Sequence, residues 1–160
     1  MSTHSDFEID GLYVLLSDRG DKSFTFHWGL YLHQSIDSGY IYDLLSDAGS
    51  TNWRFDPRPS ENVIGSRRVL VALKIGALDS TMHQSLLHRL EQIPLAYSTR
   101  FNENITCRVW VKEALFALDN EGYIGITSSV DDLEFEARNL ALANKVGRKR
   151  TIRPSAECQF

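Results

Sequence analysis

Residues 24–33 alternate between two kinds of side chain, and this feature constrains the fold of the chain more than any other. One set is entirely apolar: Phe24, Phe26, Trp28, Leu30 and Leu32. The other set is small, polar or able to form hydrogen bonds: Thr25, His27, Gly29, Tyr31 and His33. A period of two over this length predicts a β-strand with one face in the core. The polar face is typical of the wall of a site.

A turn and a second strand follow, which predicts an antiparallel hairpin. Residues 36–38 have turn composition, and residues 39–45 have the composition of a returning strand. A turn centred on Ser35 would place Asp43 directly opposite His27, and a turn centred on Ile36 would place it one diagonal step away on the same face. A slip of one residue would move Asp43 to the opposite face. The register therefore decides whether this carboxylate can orient the His27 ring.

The other segments predict more strands and three helices. Residues 12–16 and 69–75 predict strands, the second of them buried on both faces because it is nearly all apolar. Residues 80–93, residues 107–118 and a segment capped by Ser129 predict helices. Residues 46–68 read as a long irregular loop, of the kind that forms lids or binding surfaces. We therefore predict an α+β fold over residues 1–144, with an antiparallel sheet packed against helices.

Residues 145–160 are predicted to be a basic, flexible tail, because several cations occur close together there: Lys145, Arg148, Lys149, Arg150 and Arg153. The whole chain of 160 residues nevertheless has a net charge of −4, which argues against a nucleic-acid partner. No apolar run is long enough for a membrane span, and the polar N-terminus lacks a signal-peptide core, so we expect a cytoplasmic protein. The spacings of the histidines and cysteines do not match a metal-binding motif, and the sequence has no glycine-rich phosphate-binding loop. We therefore predict no metal and no other cofactor.

Cys107 is the candidate nucleophile. It opens the helical run 107–118, with Asn104 or Thr106 as the N-cap. A helix N-terminus favours negative charge and lowers the pKa of a thiol, and a nearby imidazole can accept the thiol proton. We predict that His27 is this base and that Asp43 orients its ring.

Four further residues are predicted to bind the substrate. Tyr31, His33 and Trp53 would line the pocket, and Asn104 would add a hydrogen-bond donor for the oxyanion beside the backbone N–H of Cys107. The expected substrate is a small molecule or an acyl compound. The sequence does not predict the oligomeric state of the protein.

Two motifs resemble those of the permuted papain-like superfamily, in particular the lecithin:retinol acyltransferase family. They are Phe-His-Trp-Gly-Leu-Tyr-Leu at 26–32 and Gly-Tyr-Ile-Tyr-Asp-Leu at 39–44, followed much later by a cysteine that opens a helix. The resemblance implies a permuted papain-like fold with His27 as base, Asp43 as third residue and Cys107 as nucleophile. The family more commonly has histidine at the third position and the run Asn-Cys-Glu-His-Phe, where this chain has Thr-Cys-Arg-Val-Trp.

Three functions are compatible with these features. The first is a cysteine hydrolase or acyltransferase that acts on an amide, ester or thioester. The second is an isomerase or cyclase of small-molecule biosynthesis that uses His27 and Asp43, with Cys107 as a bystander. The third is a ligand-binding module without turnover, whose surface includes the 46–68 loop. We expect the first, because chain order, element type and hairpin register agree on a cysteine–histidine pair.

Overall fold

The computed structural model describes residues 6–47 and 52–160. Residues 1–5 of the polar N-terminus and residues 48–51 of the predicted 46–68 loop therefore lie outside the described part. The strands are β1 (Gly11–Asp18), β2 (Phe26–His33), β3 (Gly39–Ser46), β4 (Trp53–Phe55), β5 (Arg58–Ser60), β6 (Val69–Ala77), β7 (Gly125–Ile126), β8 (Thr151–Pro154) and β9 (Cys158–Gln159). The helices are α1 (His83–Glu91), preceded by a 3-10 turn at Ser80–Met82, α2 (Cys107–Asn120) and α3 (Val130–Gly147).

One mixed sheet forms the centre of the molecule. Its strand order is β4-β3-β2-β1-β6-β8, and β5 also pairs with β3. All of these pairings are antiparallel except that of β6 with β8. Strands β7 and β9 form a separate antiparallel pair. The predicted α+β class, with a largely antiparallel sheet and helices, is confirmed.

The two faces of the sheet are covered differently, as the alternation in β2 predicts. Phe26, Trp28, Leu30 and Leu32 face the helices and join the main core with the buried faces of α2 and α3. The opposite face holds a smaller cluster: Phe7, Tyr13, Leu15, Tyr31, Val63, Val69 and Ala72. Strand β6 lies between β1 and β8 and is buried over most of its length, as predicted for 69–75.

The hairpin adopts the second of the two predicted registers. Gly29 pairs with Asp43, and His33 pairs with Gly39. Asp43 is therefore one diagonal step from His27 on the same face of the sheet. A Cβ atom at Gly29 would lie 3.1 Å from Cβ of Asp43 and 3.7 Å from its Oδ2. The glycine thus leaves the Asp43 side chain the space it occupies.

The predicted tail at 145–160 is corrected by the structure. Helix α3 continues to Gly147 and ends at Arg148, which has left-handed backbone angles. Strand β8 then pairs with β6 in parallel, and the Asn144 side chain donates to Leu70 O and to Thr151 Oγ1. Strand pairing uses backbone groups that every residue type but proline carries in full. The basic side chains of this segment therefore do not prevent it from completing the sheet.

Candidate active site

The candidate site lies where β2 and β3 separate. Their pairing ends at Gly29 and Asp43, and beyond this point β3 pairs with β4, beginning with Leu44 opposite Phe55. The start of β2, at His27 and Trp28, therefore has no neighbour on that side from β3. The N-terminal end of α2 reaches β2 here, because the Trp28 backbone N–H donates to the sulfur of Cys107.

Cys107 is the first residue of α2, as predicted. Thr106 is the N-cap, and its side chain accepts a hydrogen bond from the Val109 backbone N–H at 3.3 Å. This cap leaves the thiol beside the first free N–H groups of the helix, where the helix dipole favours a negative charge. The Cys107 residue is only 2% exposed.

His27 connects the thiol to a buried carboxylate. Its Nε2 lies 2.8 Å from Oδ2 of Asp43, and its ring also interacts directly with the side chain of Cys107. Because Nε2 is engaged by Asp43, Nδ1 is the nitrogen left for the sulfur. Arg58 holds Asp43 from the far side, with NH1 2.7 Å from Oδ1 and NH2 3.3 Å from Oδ2. The chain of contacts is thiol, imidazole, carboxylate and guanidinium.

The electrostatics of the site favour a charged pair of Cys107 and His27. Burial by itself lowers the pKa of His27, but its hydrogen bonds to Asp43 and Cys107 outweigh burial and raise that pKa to about 9. Burial by itself raises the pKa of Cys107, but the His27 ring, the Trp28 N–H and the charge of Arg19 outweigh burial and lower it. Burial raises the pKa of Asp43 too, and the bonds from His27 and Arg58 bring it below its ordinary value. Each group is therefore favoured in its charged form.

Arg19 contacts the thiol from the end of β1. Its NH2 lies 3.7 Å from Cys107 Sγ and donates to the Phe26 carbonyl oxygen at 3.1 Å. The first contact brings a permanent positive charge next to the sulfur.

The sulfur faces a cleft of about 270 Å³. Its walls are Arg19, Phe24, Thr25, Phe26, Trp28, Trp53, Thr106, Arg108 and Arg138, together with Cys107 itself. A second cavity of about 290 Å³ is lined among others by Ser17, His27, Asp43, Arg58 and Asn62. His27 thus lines the space that contains the carboxylate, and it is not among the walls of the thiol cleft.

Not every predicted site residue is at this site. Trp53 lines the thiol cleft. Tyr31 and His33 do not: both are buried on the opposite face, where the Tyr31 hydroxyl lies 2.8 Å from His33 Nδ1. The prediction that they bind substrate is corrected, because they share a face with His27 but lie toward the closed end of the hairpin, under Phe7. Asn104 is exposed and outside the walls of the cleft, so it is not placed as an oxyanion donor.

Sequence reasoning missed the two arginines that contact the reactive groups. Arg19 belongs to a turn that reads only as a chain reversal, and Arg58 lies in the segment predicted to be irregular. Strand β5 pairs with β3 and brings Arg58 to Asp43. The sequence near either arginine carries no signal of its role. The partner of Arg19 is Cys107, which is far away in sequence, and the partner of Arg58 is Asp43, which lies on another strand.

Within the described residues, no group of three His, Cys, Asp or Glu side chains is arranged as metal ligands, and no helix is long and apolar enough to cross a membrane. Comparisons of this chain with protein-family models, with curated proteins and with solved structures find no match.

Proposed function

We propose that this protein is a cysteine-dependent hydrolase or acyltransferase that acts on an amide, ester or thioester. The observation that carries the proposal is one continuous line of contacts. Cys107 begins a helix and interacts directly with the His27 ring. Nε2 of that ring lies 2.8 Å from Oδ2 of the buried Asp43. A nucleophile, a base and a group that orients the base are the three parts of a nucleophilic triad.

The directions of the pKa shifts support a thiolate that is formed before the substrate binds. The pKa of His27 is raised to about 9, whereas that of Cys107 is lowered. Both shifts favour the form of the pair in which the proton lies on the imidazole and the negative charge on the sulfur. The thiolate is the nucleophilic form of cysteine.

The proposed reaction has two steps. The Cys107 thiolate attacks the carbonyl carbon, a C–S bond forms, and the leaving group departs with the proton of the His27 imidazolium. Neutral His27 then takes a proton from water or from an acceptor alcohol, amine or thiol. That nucleophile attacks the thioester, and the thiolate leaves. Asp43 remains ionised throughout and stabilises the imidazolium.

The oxyanion would be stabilised at the start of α2. The backbone N–H of Cys107 is at the helix N-terminus, where donors are free and the dipole is favourable. Arg19 adds a cationic donor on the wall of the same cleft.

The finer assignment to the permuted papain-like superfamily is part of this proposal. It is supported by the chain order His27, Asp43, Cys107 and by the placement of the histidine on a strand and the cysteine at a helix start. The alternative of an isomerase with a bystander thiol is less well supported, because the thiol and the imidazole interact directly.

The test is the pH dependence of alkylation by iodoacetamide, followed at each cysteine by mass spectrometry. For Cys107 we expect the midpoint of the rate increase to lie at a lower pH than the midpoint for a free thiol. The rate should reach its plateau near neutral pH. In His27→Ala the rise should shift to higher pH, and the rate near neutral pH should fall about tenfold or more, because an ordinary thiol is only a few per cent ionised there. With a chromogenic acyl ester, acylation should decline above about pH 9, as the imidazolium loses its proton.

Cys158 is the internal control. It is half-buried, and burial raises the pKa of its thiol to about 11. Cys158→Ala should leave the ester activity unchanged, and Cys107→Ala should remove it. Equal and slow labelling of both cysteines, with the same pH profile in His27→Ala, would refute the proposal.

A further inference from the structure

The cleft that contains the thiol has an unbalanced charge. Among its walls are three arginines, Arg19, Arg108 and Arg138, and no aspartate or glutamate. This contrasts with the chain as a whole, whose net charge is −4. A cleft lined by one sign of charge concentrates ligands of the opposite sign.

One of the three arginines is neutralised. Arg108 NH1 lies 2.5 Å from Glu134 Oε2, and its NH2 is paired with Glu103. The same Glu134 also accepts from Lys112, which joins α2 to α3. Arg108 therefore has a structural role between the two helices, and its charge is compensated.

The other two arginines form no ion pair with a carboxylate within the described part of the chain, although Asp21 lies near enough to Arg19 to interact with its charge. Arg19 bonds to the Phe26 carbonyl oxygen and to Cys107 Sγ, and it forms no ion pair with a carboxylate there. Arg138 is exposed on α3 and has neither an ion pair nor a hydrogen bond with a described residue. A guanidinium has five N–H donors in a planar fork that matches carboxylate and phosphate groups. Most of these donors are free to bind a ligand.

Most of the rest of the wall is aromatic, and Thr25 and Thr106 complete it beside the thiol. Phe24 is 51% exposed, and Trp53 and Trp28 also line the cleft. A volume of about 270 Å³ is at the small end for ligand pockets. It suits a small molecule or the end of a longer one, with an apolar part against the rings.

We propose that the acyl donor of this enzyme carries an oxyacid anion, a carboxylate or a phosphate, close to the scissile carbonyl, and that Arg19 and Arg138 bind this group. The inference rests on the proposed function, since it gives the substrate class of the same thiol. Arg19 binds next to the reacting sulfur, and Arg138 binds at the exposed side of the cleft. Arg108 contributes little, because its charge is already paired.

The test compares two alkylating reagents of nearly equal size that differ in charge. Iodoacetate carries a carboxylate next to the reacting carbon, and iodoacetamide is its neutral counterpart. The measured quantity is the ratio of their second-order rates at Cys107, at a pH on the plateau of the iodoacetamide profile of each variant. On the plateau the thiolate is fully formed, so an effect of Arg19 on the thiol pKa cancels.

We expect the ratio to be about tenfold higher at Cys107 than for 2-mercaptoethanol, and to decrease as salt screens the charges. Arg19→Gln and Arg138→Gln should each lower the ratio severalfold, and the double variant should lower it further, to the contribution that the His27 imidazolium alone makes. Arg67→Gln is the matched control, because Arg67 is an exposed arginine that lines a different cavity. It removes the same charge and should leave the ratio unchanged.

Acetate and inorganic phosphate, compared at equal ionic strength, should slow the reaction of Cys107 with iodoacetamide. The anion that protects more strongly identifies the group that the cleft prefers. Both effects should be lost in the double variant.

The outcomes separate this inference from the proposed function. A fast reaction of Cys107 with iodoacetamide, a low thiol pKa and a ratio equal to that of the free thiol would overturn the anionic substrate and leave the cysteine enzyme in place. The same holds if the ratio is high but the Arg19 and Arg138 variants change it no more than Arg67→Gln does. Slow labelling with an ordinary thiol pKa would overturn both proposals.

Discussion

His27 and His33 are on the same strand and the same face of the sheet, yet the structure gives them opposite environments. His27 lies where β3 has moved away from β2, and it contacts Asp43 and Cys107. His33 lies at the paired end of the hairpin, packed against Phe7 and bonded to the Tyr31 hydroxyl. Hydrogen bonds raise the pKa of His27 to about 9, whereas burial lowers the pKa of His33.

The comparison teaches that strand pairing, more than residue type, decides what a histidine on this face can do. Where β3 stays paired, as opposite His33, the aromatic cluster closes over the ring. Where β3 leaves, the N-terminal end of α2 brings a thiol to the ring instead. The following variants test whether Asp43 and the local packing account for the difference.

The largest effect is expected from Asp43→Asn. The amide keeps the shape of the side chain but removes the negative charge that holds the proton on the imidazole. The pKa of His27, measured by NMR titration, should fall from about 9 toward or below its ordinary value. Acyl-transfer activity should fall by a factor on the order of 10²–10⁴, because the base loses its orientation and its charge partner.

Asp56→Asn is the matched control for this variant. Asp56 also pairs with Arg58, but it does not contact His27. It should leave the His27 titration near its original position. A His27 pKa near 9 in the Asp43→Asn protein would show that Asp43 is not what distinguishes the two histidines.

A smaller effect, confined to stability, is expected from His33→Phe. The buried Tyr31 hydroxyl loses its partner, which costs about 1–3 kcal/mol in the free energy of unfolding. The labelling rate of Cys107 should not change. Urea unfolding measures the first quantity and mass spectrometry the second. Adding Tyr31→Phe should recover part of the loss, because the unpaired hydroxyl is then absent.

The pH dependence of unfolding provides a second measurement on the same variant. Because the pKa of His33 is lowered on folding, the unfolded chain takes up a proton below about pH 6.5 that the folded protein binds less well. This contribution to stability is present above that pH and is lost as the pH falls. The difference in the free energy of unfolding between wild type and His33→Phe should therefore shrink at acid pH. A difference that stays constant with pH would contradict a lowered His33 pKa in the folded protein.

The smallest effect is expected from Gly29→Ala. The added Cβ would be 3.1 Å from Cβ of Asp43, so the carboxylate must shift by a few tenths of an ångström. Since small misplacements of catalytic groups reduce rates, acyl transfer should fall about threefold, with a slightly lower His27 pKa. An unchanged rate would mean that Asp43 has more room than its pairing with Gly29 indicates.

Much of the fold could be predicted because it depends on local patterns. The alternation in β2, the apolar run in β6 and the Thr106 cap of α2 each follow from neighbouring residues. The hairpin could be predicted only to two registers, both of which kept Asp43 on the face of His27. Strand β8 was missed because its pairing with β6 is a long-range backbone contact between segments with no shared side-chain pattern.

The amino-acid sequence by itself determined which residues carry the chemistry of the candidate site: one cysteine at a helix start, a histidine on a strand and a carboxylate on the same face. Only the tertiary structure decided that Arg19 and Arg58 join the site and that Tyr31 and His33 lie away from the thiol cleft. The physical reason is that periodicity specifies the face on which a side chain lies. Its neighbours across the sheet depend on where strands part and on which helix end enters the gap.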